Sequence, residues 1–252
     1  MAAFLSGCSS DDQSEPLRKI STPEPYILSQ TDTPASAAEP EALPAEGKII
    51  ALTFDDGPNT TCTPKVLDVL EKYGIKASFF VIGDNIDEDT AGMMIRAHNM
   101  GCEINNHSKT HSYMNKMDEE DIKSELDYTS KLIEEYVGEK PKFFRPPYIA
   151  VSSEMYKATD LPFICGKGCN DWEESVSAKE RADRVLAQAE DGDIILLHDS
   201  EFNDKTVEAL DTIIPALRER GFSFVTVSEL FAAKGVTPDG GSEILYSNCM
   251  QQ

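Results

Sequence analysis

From Lys48 to Phe231 the chain alternates short apolar runs with longer stretches whose apolar residues recur at helical spacing. The run "KIIALTF" (48–54) is apolar without alternation, the pattern of a strand covered on both faces. "TPKVLDVLEKYG" (63–74) predicts a helix opened by Thr63-Pro64 and closed by Gly74. "ASFFVIG" (77–83) reads as a strand, "DEDTAGMMIRAHNMG" (87–101) as a helix and "CEINNHS" (102–108) as a short strand. Residues 118–138 place acids in a first helical turn and end at Gly138. "KFFRPPY" (142–148) predicts strand and turn, "PFICGKG" (162–168) a strand and 177–190 a helix. "DIILLHD" (193–199), a helix over 205–219 and "FSFVTVSELF" (222–231) complete the series. Strand–helix alternation implies a parallel sheet covered by helices, open or closed into a barrel. About seven units in roughly 185 residues are compact beside an eight-fold barrel of about 250. The expectation is an α/β fold, a distorted, trimmed (β/α) barrel.

The pattern breaks outside this region. Leu5-Ser6-Gly7-Cys8 resembles a lipobox, and residues 9–46 are rich in Pro, Ser, Thr and acids, the composition of an extended linker. The expected organisation is a signal remnant over 1–8, a linker over 9–46, a folded catalytic domain over 47–233 and a C-terminal tail over 234–252. No apolar run is long enough to span a membrane. Membrane contact is therefore expected only through lipid on Cys8, in a protein exported to the cell surface or secreted, and monomeric. The formal charge of -22 excludes a nucleic-acid partner, which would need a basic face. None of the six cysteines forms a CxxC pair, so buried or unpaired thiols are expected, with one disulfide at most.

Five predicted strands hand over to ionisable residues at their C-terminal ends: Asp55-Asp56, His107, Arg145, Asp171-Trp172 and His198-Asp199. In parallel barrels and doubly wound sheets that rim is where ligands bind. Three of the four histidines fall there. Adjacent acids repel, so Asp55-Asp56 make sense at a strand mouth only as a turn signal or beside a cation. An isolated HxxxH is most often a surface pair, but on a helical turn His107 and His111 share a side, and one acid would complete a three-ligand metal site. The other acid would then accept a proton from water activated there. His198, after four aliphatic residues, suits a proton donor to a leaving group. Arg145 could clamp a carboxylate, and the prolines after it would aim a backbone N–H at a developing oxyanion. Trp172 suits plain core, a sugar face or an acetyl methyl.

These pieces, "TFDDGP" (53–58), "HSKTH" (107–111), "RPPY" (145–148), "DW" (171–172) and "LLHD" (196–199), resemble in order and spacing the NodB-homology polysaccharide deacetylases, carbohydrate esterase family four. From "PKFFRPP" onward the chain is also similar to the acetylxylan-esterase branch. The resemblance implies a distorted (β/α) barrel and a divalent metal, zinc before cobalt or another transition metal, held by Asp56, His107 and His111. It implies Asp55 as base tethered by Arg145, His198 as acid tuned by Asp171, and the Tyr148 N–H at the acetyl carbonyl. Trp172 and Leu196 would line the acetyl pocket. The family's DxxDW motif has Gly168 here in place of its first Asp. The expected partner is an acetylated polysaccharide. N-deacetylation of GlcNAc in peptidoglycan or a chitin-like polymer stands first, O-deacetylation of xylan second, and an inactive glycan-binding scaffold third.

Overall fold

The computed structural model describes residues 47–251. The lipobox at Cys8 and the linker over 9–46 lie outside the described residues. The first strand, β1 (Lys48–Asp55), is the axis of the fold, buried from Ile49 to Asp55. Parallel neighbours cover both its edges: β2 (Ser78–Val81) and β7 (Phe222–Phe224) on one side, β6 (Ile194–His198) on the other. β3 (Glu103–Asn106) extends the sheet beyond β2, and β5 (Lys167–Gly168) beyond β6.

The circle closes through short contacts rather than full strands. Phe144 bridges Asn106 on one side and Phe163 on the other. Phe163 belongs to β4 (Phe163–Ile164), which pairs in parallel with β8 (Leu245–Tyr246), and the Ile194 N–H donates to the Ser247 carbonyl. "KFFRPPY" makes only a bridge because Pro146 and Pro147 have no N–H for a ladder. "PFICGKG" splits into β4 and β5 because Gly166, at φ 104, turns the chain from β8 towards β6. The result is the expected distorted barrel, with eight short strands and seven α-helices among the described residues.

The helices follow the sequence signals with local adjustments. α1 (Thr63–Tyr73) has Pro64 in its first turn and Gly74 in the left-handed C-cap conformation. α2 (Ala91–Asn99) starts later than expected because the Asp87 carboxylate accepts from the Asp89 and Thr90 amides and holds a turn. α3 (Glu119–Val137) is capped by Asp118 and followed by Gly138. α4 (Ser153–Ala158) is an element the pattern did not predict. α5 (Ala178–Gln188) and α6 (Asp204–Glu219) lie where expected. "FSFVTVSELF" divides at Thr226, whose capping box with Glu229 starts α7 (Val227–Ala233). The motif was present as "TVSE" and is a known helix-start signal.

Strand parity sorts the core. Ile50, Leu52, Phe54, Ile195 and Leu197 face the helix layer with Leu67, Leu70 and Ile213. Ile49, Ala51 and Ile194 face the barrel interior with Phe80, Phe143 and Ile164. The segment after Ala233, expected as a tail, puts Tyr246 and Cys249 into that second cluster and so extends the folded unit past 233. All five described cysteines are free thiols, four of them buried.

Candidate active site

Asp55 ends β1 and His198 ends β6, and the two are partners in register. Neighbouring parallel residues in register point to the same face, here the inside of the barrel rim. The inward residues of β1 change from Ile49 and Ala51 at the bottom to Thr53 and Asp55 at the top, so the barrel is apolar below and polar at its mouth.

Arg145 fills that mouth and is fully buried. Its Nη1 donates to Thr53 Oγ1 at 2.9 Å and to Asp55 Oδ1 at 2.5 Å, while the guanidinium lies 4.1 Å from the Phe80 ring centre. A charge so deep is tolerated because it is paired and hydrogen-bonded. The second Asp55 oxygen is left 3.7 Å from His107 Nε2.

Asp56 takes φ 75, which turns its side chain out of the strand's alternation and onto the side that Asp55 faces, so that both carboxylates lie within 3.7 Å of His107 Nε2. Its Oδ1 lies 3.5 Å from His107 Nε2 and 3.4 Å from His111 Nε2. That oxygen is buried with no hydrogen-bond partner, an orphaned acceptor aimed at two imidazole nitrogens. His107 Nδ1 sits 2.7 Å from the Arg145 carbonyl, which can only accept, so the proton is on Nδ1 and the Nε2 lone pair faces Asp56. One ligand atom from each of the three residues falls within 4.8 Å of the others. Two imidazoles and a carboxylate suit a divalent transition metal with an open position. Burial pushes the Asp56 carboxyl up, but His107, then His198 and His111, outweigh it and hold the group at about 2. Burial lowers the His111 pKa, favouring the neutral form that ligates.

The loop carrying the two histidines is not helical, contrary to expectation. Ser108 and His111 both have positive φ, and side chains hold the backbone. Asn106 Oδ1 accepts from the Ser108 amide at 2.7 Å and Ser108 Oγ from the His111 amide at 3.0 Å. Glu125 of α3 accepts from the amides of Lys109 and Thr110 at 2.9 and 2.8 Å. The imidazoles converge because of this clamp, with ring centres 5.0 Å apart.

On the far side Asp171, fully buried, accepts from His198 Nδ1 at 2.8 Å, from the His198 amide at 2.7 Å and from Thr206 Oγ1 at 2.8 Å. Burial alone would lower the His198 pKa; the Asp171 hydrogen bond and charge, helped by Asp55 and Asp56, raise it to about 9. Trp172 presents itself edge-on to His198, 5.4 Å between centres, and is more than half exposed. Leu196 is buried one pleat below His198, paired with Gly168 of β5. A Cβ on Gly168 would stand 3.8 Å from Trp172 Cζ3, so a larger side chain there would press on the indole. The Tyr148 ring packs between His111 and Tyr113, at 4.6 and 4.0 Å.

All ten residues singled out from sequence therefore meet at one rim. Thr53, Glu125, Thr206 and Tyr113 were missed: each supports another residue, and nothing in a single sequence distinguishes them from ordinary strand, helix or loop positions. Asp199, the last residue of "LLHD", lies beneath the site. Thr63 Oγ1 donates to it at 2.5 Å, and its Oδ2 would be 2.6 Å from a Cβ on Gly57, which is why the turn after Asp56 needs glycine. Burial, opposed by Thr63 and reinforced by Asp56 and Asp55, pushes its pKa up to about 7.

The model of the polysaccharide deacetylase family matches residues 42–163. The chain is 54% identical to a bifunctional xylanase/deacetylase of Pseudobutyrivibrio xylanivorans over 76% of its own length, and spans only 32% of that relative. It is 36% identical to a peptidoglycan-N-acetylglucosamine deacetylase of Bacillus cereus, over 76% of this chain and 92% of the relative. Among solved structures, a family 4 acetyl xylan esterase from Clostridium thermocellum in complex with a cobalt ion superposes with TM-score 0.79. That match has 43% identity and covers 81% of this chain and all of the other.

Proposed function

Because this chain belongs to the polysaccharide deacetylase family, we propose that it is a metal-dependent hydrolase removing acetyl groups from a polysaccharide. The observation that carries the reading is the register pairing of Asp55 with His198 beside the Asp56, His107 and His111 cluster, a base and an acid at one reacting centre. A divalent metal, zinc for preference, held by those three residues would polarise the acetyl carbonyl and lower the pKa of a water to about 7.

The chain's own groups do the rest. Asp55 accepts the attacking water's proton on the oxygen that Arg145 leaves free, while Arg145 fixes the carboxylate in place. The Tyr148 N–H donates to the carbonyl oxygen as negative charge develops there. His198, kept protonated by Asp171, gives its proton to the departing oxygen or nitrogen as the carbonyl bond to it breaks. Trp172 and Leu196 wall the acetyl methyl. With ligands, base and acid all at one rim, the inactive scaffold is the weakest alternative.

Similarity orders the substrates. The 54% and 43% matches carry xylan in their names, and the peptidoglycan enzyme follows at 36%. Acetylated xylan is therefore the first substrate proposed, ahead of the GlcNAc amide that the sequence favoured. N-deacetylation stands as the second reading because an amine leaves only when protonated, and His198 bound by Asp171 is suited to that. Acetate release from acetylated xylan, GlcNAc oligomers and peptidoglycan, under one set of metal conditions, tests both. The expected outcome is release from xylan that stops on chelation and returns with zinc. Asp55→Asn should cut kcat by about 10²–10⁴-fold with bound metal unchanged. Release from the amides alone would move the assignment to the second reading; full release by verified metal-free protein, or none from any substrate, would overturn the proposal.

A further inference from the structure

Seven non-glycine residues among those described have φ between 55° and 75°. Six lie in the loops that carry Asp56, the two histidines, Tyr148 and Asp171. The seventh is Phe202, in the loop between His198 and α6. An aromatic side chain in the left-handed region is strained and persists only where its surroundings hold it. Here the Phe202 N–H donates to Thr61 Oγ1 at 3.3 Å and its carbonyl accepts from the Asp204 amide at 2.9 Å. The next residue, Asn203, donates its side-chain amide to the His198 carbonyl at 2.9 Å and accepts from Arg181 at 2.5 Å. The loop is thus fastened to the back of the proposed acid.

The ring gains nothing from this arrangement. Phe202 is 73% exposed, the most exposed large hydrophobic residue described, and belongs to none of the hydrophobic clusters. The fold holds strain in order to present an aromatic face to solvent at the rim, next to a residue that would meet the leaving group. Pyranose rings have an apolar C–H face that packs on aromatic rings. We propose that Phe202 is a specificity-determining residue, stacking on a sugar adjacent to the one that loses its acetyl group. The Tyr148–Tyr113 stack, on the side of the histidine loop, leaves the β6 side of the rim for this second contact. The inference rests on the polysaccharide reading and adds that the site recognises a chain rather than an isolated acetylated sugar.

The test compares the full chain with Phe202→Ala, Phe202→Trp and Phe202→Gly on acetylated oligosaccharides of two to six sugars and on a small aryl acetate. For Phe202→Ala the ratio of oligosaccharide to aryl acetate kcat/KM should fall roughly three- to tenfold, mostly in KM, as expected for loss of one aromatic contact. Phe202→Trp should restore it. Phe202→Gly should lose the same preference with no drop in melting temperature, because glycine accepts the left-handed conformation. An unchanged ratio, or equal loss on both substrate types, would overturn the inference, the latter because it would mean that the ring acts only through the His198 loop. If the wild type releases acetate from no polysaccharide, the deacetylase reading falls and takes this one with it. If the wild type is active and Phe202→Ala matches it, only Phe202 is wrong.

Discussion

Asp55 and Asp56 are neighbours whose carboxylates both approach His107 yet keep different partners, and one backbone angle brings them to the same side. Asp55 keeps the strand's alternation and meets Arg145; Asp56, at φ 75, leaves it and meets two histidines. The repulsion between adjacent acids is offset by giving each its own cationic or metal-binding partner. The same division of labour sets the pH behaviour of His198. A group acting as an acid must be protonated, so activity falls as pH rises through its pKa. Asp171 raises that pKa against the effect of burial, and a dication at Asp56 would bring it back down. Asp171→Asn removes the raising charge while keeping the shape. The alkaline limb of the kcat profile should therefore move to lower pH by about a unit or more, with kcat at neutral pH reduced on the order of 10²-fold. A full pH–rate profile checks this. An alkaline limb that stays in place would show that His198 is not the acid.

At the scale of elements, the histidine loop shows how a helix serves a site it does not touch. Glu125 on α3 takes the Lys109 and Thr110 amides, and Thr110 Oγ1 also lies within 3.0 Å of its carboxylate. Removing that acceptor frees two loop amides and loosens the spacing of His107 and His111. Glu125→Ala should weaken metal binding about 10- to 100-fold, the usual effect of losing an outer-shell partner, with the base and acid residues intact. Competition with a coloured chelator measures it; affinity equal to wild type would mean the loop holds itself. The sequence alone places α3 correctly from its period and its acidic first turn, yet does not show which of its nine acids and bases faces inward, since that choice depends on how the helix is rotated against β3. The misread loop has the same cause: HxxxH suggests a helical turn until a carboxylate from elsewhere claims its amides.

At the scale of the whole molecule, barrel closure depends on the residues after α7. β8 pairs with β4, Tyr246 packs edge-on to Phe231 at 5.3 Å, and Cys249 is fully buried against the base of the barrel. These contacts fill the seam between β4 and β6. Tyr246→Ala should cost roughly 3 kcal/mol, on the order of 8 °C in melting temperature for a domain of this size. A chain ending at Ala233 should lose cooperative melting altogether. Thermal denaturation of both decides the matter, and a truncated chain melting like the full one would return 234–251 to the status of a tail.

What the sequence by itself determined was everything written in short-range order. The period of the apolar runs gave the α/β class, capping residues gave the ends of α1 and α3, ionisable residues at strand ends gave the charged part of the rim, and the motif resemblance added Leu196 and the roles of Tyr148 and Trp172. Those signals survive in one dimension because strand ends, helix caps and apolar faces are properties of consecutive residues. Tertiary structure alone decided what depends on partners distant in the chain. Arg145 reaches Asp55 and Thr53 across the barrel mouth, Glu125 holds the histidine loop, Thr206 steadies Asp171, and β8 fills the seam beside β4. It also decided the conformations that no residue type announces, such as an aspartate and a phenylalanine in the left-handed region. Local propensity opposes those conformations, and only the surrounding hydrogen bonds and packing keep them in place.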